Sequence, residues 1–236
     1  MYIDVAFTAQ ECSQSIVEGK SAAVIDVLRA TTVMTVALAN GAAEIVACAG
    51  VEDAKQVRAQ SVAGALLGGE REARRIPGFD LGNSPLEYSP DVVRGKRVIM
   101  TTTNGTQAIE RAGEARALYI MSMLNVSAVA RQLLSDGRDV VLVCAGTSGR
   151  FSLEDGICAA ICMDWMLAQG ETALSDGAAV LLDHYRNHRA DIAAILAGTA
   201  HARRLVQNGF GEDLAYCFKQ DTLDCVPFYE EGRLHI

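Results

Sequence analysis

Seven short apolar runs recur between residues 2 and 146: YIDVAF (2–7), SAAVIDVL (21–28), AEIVACA (43–49), AGALLGG (63–69), KRVIMTT (96–102), ALYIMS (117–122) and DVVLVCAG (139–146). Each has the length of a strand, and each is followed by a polar or amphipathic stretch of helical character. That rhythm predicts an α/β protein with a largely parallel sheet and helices on both faces. Beyond Gly156 the pattern becomes helical, with helices expected near 153–169, 172–187, 189–197 and 199–208. The final VPFYEEGRLHI suits a terminal strand or hairpin. No Ser/Pro-rich linker or charge block divides the chain, so residues 1–236 are expected to form a single domain, or two subdomains sharing one active site. Three of the four prolines fall in RRIPGFDLGNSPLEYSP, which predicts a long ordered loop of the kind that often carries function.

Composition narrows the choice of partner. Half of the residues are hydrophobic, enough for a substantial core. A net charge of −8 argues against nucleic acid or an anionic membrane and leaves a small anion, met by local groups. No run reaches the ~20 apolar residues of a membrane helix, and MYIDVAFTAQEC lacks the form of a signal peptide, so a cytoplasmic location is expected. The seven cysteines are odd in number and scattered, as reduced thiols are. A homo-oligomer is left open.

The chemistry gathers at three strand-to-helix junctions. In AAVIDVLRATT, Asp26 interrupts an apolar strand, where a carboxylate must meet a cation or several donors. Arg29, Thr31 and Thr32 follow where a helix begins and free amides favour an anion. In KRVIMTTTNGTQAIERAG, the residues Thr103, Asn104, Gly105 and Thr106 repeat the arrangement and suit a phosphate cradle without Walker chemistry. In DVVLVCAGTSGRFSLEDG, Glu154 and Asp155 enter a helix after a glycine-containing loop, either as dipole-compensating acids or as functional ones. Ligands of open α/β sheets bind beyond the carboxyl ends of strands, where all three junctions fall. The stretch GGEREARRIPGFDLGNSP adds Glu70, Asp80, Asn83 and Ser84, which supply an acid-recognition side if the loop folds over the sheet ends. Arg74 and Arg75 there suit a solvated helix face equally well.

Other spacings carry less. Cys144 and Arg150 have the C-x₅-R spacing of thiol phosphatases, but Val143 stands where those enzymes carry histidine. His184 and His188 lack the glutamate of H-E-x-x-H and read as a charged helix face. His201, Arg203 and Arg204 are expected on a surface helix.

Four motifs in order, IDVLRATT, GERE with IPGFDLGNSP, TTTNGT and AGTSGRFSLEDG, span nearly the whole chain and resemble the 2-phosphosulfolactate phosphatase family. The resemblance implies a three-layer α/β/α fold and a Mg²⁺-dependent phosphatase acting on esters of 2-hydroxy acids, with 2-phosphosulfolactate, on the route to coenzyme M, as the name-giving substrate. Over these motifs the chemistry assigns catalysis to Asp26 and Arg29. Substrate contacts are expected from Thr31, Thr32, Asn83, Ser84, Thr103, Asn104, Gly105 and Thr106. Mg²⁺ is expected on Asp26 and one or both of Glu154 and Asp155, with Glu70 or Asp80 as further ligands. Leu28 stands where a haloacid-dehalogenase mechanism needs its second aspartate. Arg29→Ala is expected to remove activity and leave the fold intact. The alternatives are a non-catalytic binding protein for a phosphorylated or sulfonated acid and the Cys144/Arg150 thiol phosphatase.

Overall fold

The computed structural model describes residues 1–236. Its strands are β1 (Tyr2–Ala6), β2 (Ser21–Ile25), β3 (Glu44–Ala47), β4 (Leu66–Arg71), β5 (Arg74–Arg75), β6 (Arg97–Thr101), β7 (Ala117–Met121), β8 (Val140–Cys144), β9 (Ala173–Leu174), β10 (Phe228–Glu230) and β11 (Arg233–His235). The helices are α1 (Gln14–Val17), α2 (Ala30–Ala39), α3 (Val51–Ala59), α4 (Pro90–Val93), α5 (Gly105–Ala112), α6 (Val126–Asp136), α7 (Leu153–Leu167), α8 (Asp176–His188), α9 (Ile192–Ala197), α10 (Ala200–Gln207) and α11 (Gly211–Cys217). All seven expected strands are present. No helix is long and apolar enough to cross a membrane.

The sheet runs β5-β4-β6-β3-β11-β10-β7-β2-β8-β1-β9. Two groups are internally parallel, β4-β6-β3 and β7-β2-β8-β1-β9. The C-terminal hairpin joins them, pairing antiparallel with β7 on one side and β3 on the other. Glu231 and Gly232 turn it with φ of 49° and 83°, the left-handed pair that a tight two-residue hairpin needs. Three successive antiparallel steps leave the two groups running in opposite senses.

Strand side chains sort by parity, because a β-strand sends alternate residues to opposite faces. Ala23 and Ile25 of β2 pack with Ile157 and Ile161 of α7 and Val129 and Leu133 of α6. Ala22 and Val24 face the other way, onto Val33 and Met34 of α2 and Ile109 of α5. Both faces are covered, so the strand is apolar throughout, as an internal parallel strand should be. Ile45 of β3 and Met100 of β6 join Val24 and Ile120 in the same cluster, so both halves of the sheet close on α2 and α5. The outer face of the smaller half is covered by α3 through Ala54. The result is the expected three-layer α/β/α arrangement, with the sheet turned so that the ends of β2 and β6 meet. A Cβ on Gly105, just past β6, would lie 2.8 Å from Oδ2 of Asp26, just past β2.

Candidate active site

Where those ends meet, a cavity of about 580 Å³ is lined by Asp26, Leu28, Arg29, Glu70, Asn83, Thr103, Asn104 and residues of α10. All three sequence junctions contribute to it or lie against it.

Asp26 is 6 % exposed, with Oδ1 accepting a 3.2 Å bond from the Ala30 amide. Burial raises its carboxyl to about 6; His201 and that amide oppose the shift, and the charges of Glu70 and Glu154 add to it. Asp155 is buried too, and both its oxygens accept backbone amides, Val27 at 2.9 Å and Gly146 at 3.0 Å. Burial first, then the charges of Asp26 and Glu154, push Asp155 well above the carboxylate range despite those bonds. Glu70 likewise spends Oε1 on the amide and hydroxyl of Thr103 and Oε2 on the Ala73 amide. Glu154 is 1 % exposed and meets Nδ1 of His201 at 2.9 Å.

Arg29 is almost fully buried and ion-paired to Asp213 of α11 at 2.5 Å. Its second terminal nitrogen donates to the Ala73 carbonyl at 3.3 Å, and the Phe210 ring stacks 4.0 Å from the guanidinium carbon. Asp213 also accepts from Ser84 Oγ at 2.8 Å. One buried network thus ties the β2–α2 turn, the 76–89 loop and the C-terminal helices together. Removing Arg29 would leave Asp213 buried and unpaired, a loss of about 3–5 kcal/mol. Arg29→Ala is therefore expected to cost stability as well as activity.

Thr31 and Thr32 are fully buried, and their hydroxyls serve the turn itself: Thr31 accepts from the Asp26 amide at 2.8 Å and Thr32 donates to the Val27 carbonyl at 2.8 Å. Thr106 closes a similar turn on Thr102. Gly105 is demanded by packing, since a Cβ would also come within 2.5 Å of the Ala30 methyl. The backbone N–H groups of Leu28, Arg29 and Asn104 have no acceptor in the protein, although all three residues line the cavity. Amides left free on a cavity wall beside a helix N-terminus suit an anion. Asn83 is 6 % exposed and its Oδ1 is likewise unpartnered.

Other expectations separate at this point. Asp80 does not line the cavity; it pairs with Arg58 of α3 and accepts the Leu67 amide at 2.8 Å. Arg74 and Arg75 form β5, not a helix face. Half-buried His201 and exposed Arg204 line the cavity, contrary to the assignment to a surface helix alone, while Arg203 is exposed and outside the lining. Asp213 gave no warning in sequence, because an acid in the first turn of a helix looks like ordinary dipole compensation. Cys144 is fully buried, and burial, with Asp155, Glu11 and Glu154, pushes its thiol well above the ordinary range. Arg150 is exposed and outside the lining, so the geometry opposes a thiolate nucleophile. His184 and His188 lie on α8, away from the cavity.

No group of three or more His, Cys, Asp or Glu side chains converges tightly enough to chelate a metal unaided. Asp26 Oδ2 and Glu154 Oε2 have no protein partner, but of the two only Asp26 lines the cavity, so a sparse Mg²⁺ site completed by water and substrate would rest on Asp26, with the buried Glu154 behind it.

The family model described as 2-phosphosulpholactate phosphatase matches residues 6–232. The chain belongs to the 2-phosphosulpholactate phosphatase family. Membership makes it a phosphoric monoester hydrolase. It is 39 % identical over 99 % of its length to a probable 2-phosphosulfolactate phosphatase of Clostridium acetobutylicum, which it covers completely. A relative of the same description from Carboxydothermus hydrogenoformans is 42 % identical, with 100 % of this chain and 97 % of that one aligned. A third, from Symbiobacterium thermophilum, is 43 % identical over 92 % of this chain and 94 % of its own. In this family member the matched region contains every residue of the cavity.

Proposed function

We propose that the chain hydrolyses the phosphate ester of a small 2-hydroxy acid, 2-phosphosulfolactate, to sulfolactate and inorganic phosphate, with Mg²⁺ as cofactor and in the cytoplasm. The observation that carries the reading is the trio of unpaired amides at Leu28, Arg29 and Asn104, set around the buried carboxylate of Asp26.

The amides donate to the phosphoryl oxygens, and the N-terminus of α5 adds its partial positive charge behind Asn104. Arg29, fixed by Asp213 and Phe210, presents its guanidinium edge to the same group without having to be ordered on binding. Asp26 keeps one oxygen on the Ala30 amide and the other beside Gly105, where it would position the attacking oxygen and, with Glu154, would hold the cation. Asp155 braces the floor by fastening the Val27 and Gly146 amides. Mg²⁺, when bound, neutralises charge on the phosphoryl oxygens. The net step consumes one water. Attack on phosphorus breaks the P–O bond to the ester oxygen, and the water's oxygen ends on the inorganic phosphate. A proton from that water goes to the released alkoxide to give the 2-hydroxy acid.

A panel of phosphate esters assayed with and without EDTA tests the reading. Release of phosphate from 2-phosphosulfolactate, abolished by EDTA and restored by Mg²⁺, is expected. Binding without hydrolysis would turn the reading toward a sensor protein. Activity that resists EDTA and yields to a thiol alkylating reagent would contradict it.

A further inference from the structure

Two arginines of the cavity lining have no carboxylate partner. They are Arg71, from the end of β4, and Arg204, from α10. Arg71 donates only to neutral acceptors, the Glu70 carbonyl at 2.7 Å and Thr101 Oγ1 at 3.0 Å. Arg204, exposed at the cavity's edge, makes neither an ion pair nor a side-chain hydrogen bond within the protein. Glu72, the exposed acid of the lining, pairs with neither of them. Arg29 differs, because Asp213 already cancels its charge. Asn83, in the same lining, is buried with its amide oxygen unpartnered, an acceptor open to a ligand's O–H or a water.

We infer that Arg71 and Arg204 form the specificity clamp of the cavity, taking the two acid groups that 2-phosphosulfolactate carries besides its phosphate, with Asn83 completing the polar lining. The inference rests on the proposed substrate class and deepens it. The number of uncancelled arginines equals the number of remaining acid groups. Both sulfonate and carboxylate suit a guanidinium fork. Because Arg204 stands on α10 and Arg71 on the sheet, a substrate with both acids is gripped from two sides, whereas one with a single acid engages only one of them.

Arg204 is the position to test, since its loss strands no partner and leaves the phosphoryl cradle untouched. Binding of sulfolactate, lactate and isethionate to the intact protein is measured by calorimetry for the wild type, Arg204→Ala and Arg204→Lys. Wild type is expected to bind the doubly acidic sulfolactate at least about tenfold more tightly than either single acid, the effect of one charge-assisted contact. Arg204→Ala is expected to lose that preference, and Arg204→Lys to recover part of it. In turnover, Arg204→Ala should raise KM for 2-phosphosulfolactate about tenfold or more and KM for 2-phospholactate by less, with kcat affected less than KM. A wild type without preference for the double acid, or an Arg204→Ala variant that retains it, overturns the clamp. If the wild type instead hydrolyses no phosphate ester, the proposed reaction fails, while the binding preference still decides the clamp.

Discussion

Asp26 shows how much of the site was readable from single residues. A carboxylate in an apolar strand has to be explained, and the structure places it in the cavity with its carboxyl raised to about 6 by burial. The sign of this shift gives a test. In chelator-treated protein the group favours the fold fully below its ordinary value of 3.8, and that contribution is lost as pH rises through about 6. Asp26→Asn should therefore raise the Tm of chelator-treated protein at neutral pH, by roughly 3 kcal/mol of stability at most, and leave it nearly unchanged near pH 4. A neutral-pH Tm below that of the wild type would contradict the buried-carboxylate assignment. Gly105 is legible only in part: sequence marks it as a place of close approach, but not what approaches. A Cβ there meets Ala30 and Asp26, so Gly105→Ala should cost about 1–3 kcal/mol in urea unfolding and lower kcat together with it. The hydroxyls of Thr31 and Thr32 were harder to place, because a threonine at a helix start looks the same whether it faces a ligand or folds back on its own turn.

At the scale of elements, periodicity recovered the seven main strands and the helical C-terminal third, since each buries an apolar face. Two-residue β5 and β9 are too short for any period to register. The helix α11, with Asp213 in its first turn, lay outside the expected segments altogether, and with it went the partner of Arg29. That pair links sequence positions far apart, so no local pattern announces it. Its energetics give a clear expectation: Arg29→Ala and Asp213→Ala should each destabilise the protein by about 3–5 kcal/mol in chemical unfolding. The double variant should lose less than the sum of the two, because each single change strands the other charge. Additive losses would mean that the buried pair is not a unit.

The whole molecule depends on its last strands in a way that composition could not reveal. A C-terminal strand or hairpin was expected, but three-residue strands say nothing about where they pair, and these pair in the middle of the sheet. Removing residues 228–236 would expose the facing edges of β7 and β3 and uncover the buried Leu234. The truncated chain should be insoluble or lack a cooperative thermal transition, whereas a folded, monodisperse product would contradict the hairpin's bridging role. Because the two halves of the sheet meet across that hairpin, the β2 and β6 junctions, read separately as anion sites, become one. The most direct test of that convergence is steady-state hydrolysis of 2-phosphosulfolactate by wild type and Asp26→Asn, each with Mg²⁺ and with EDTA. Mg²⁺-dependent turnover in the wild type and a fall in kcat of about 10²–10³ in a folded Asp26→Asn protein are expected. Near-normal turnover by folded Asp26→Asn would contradict the site.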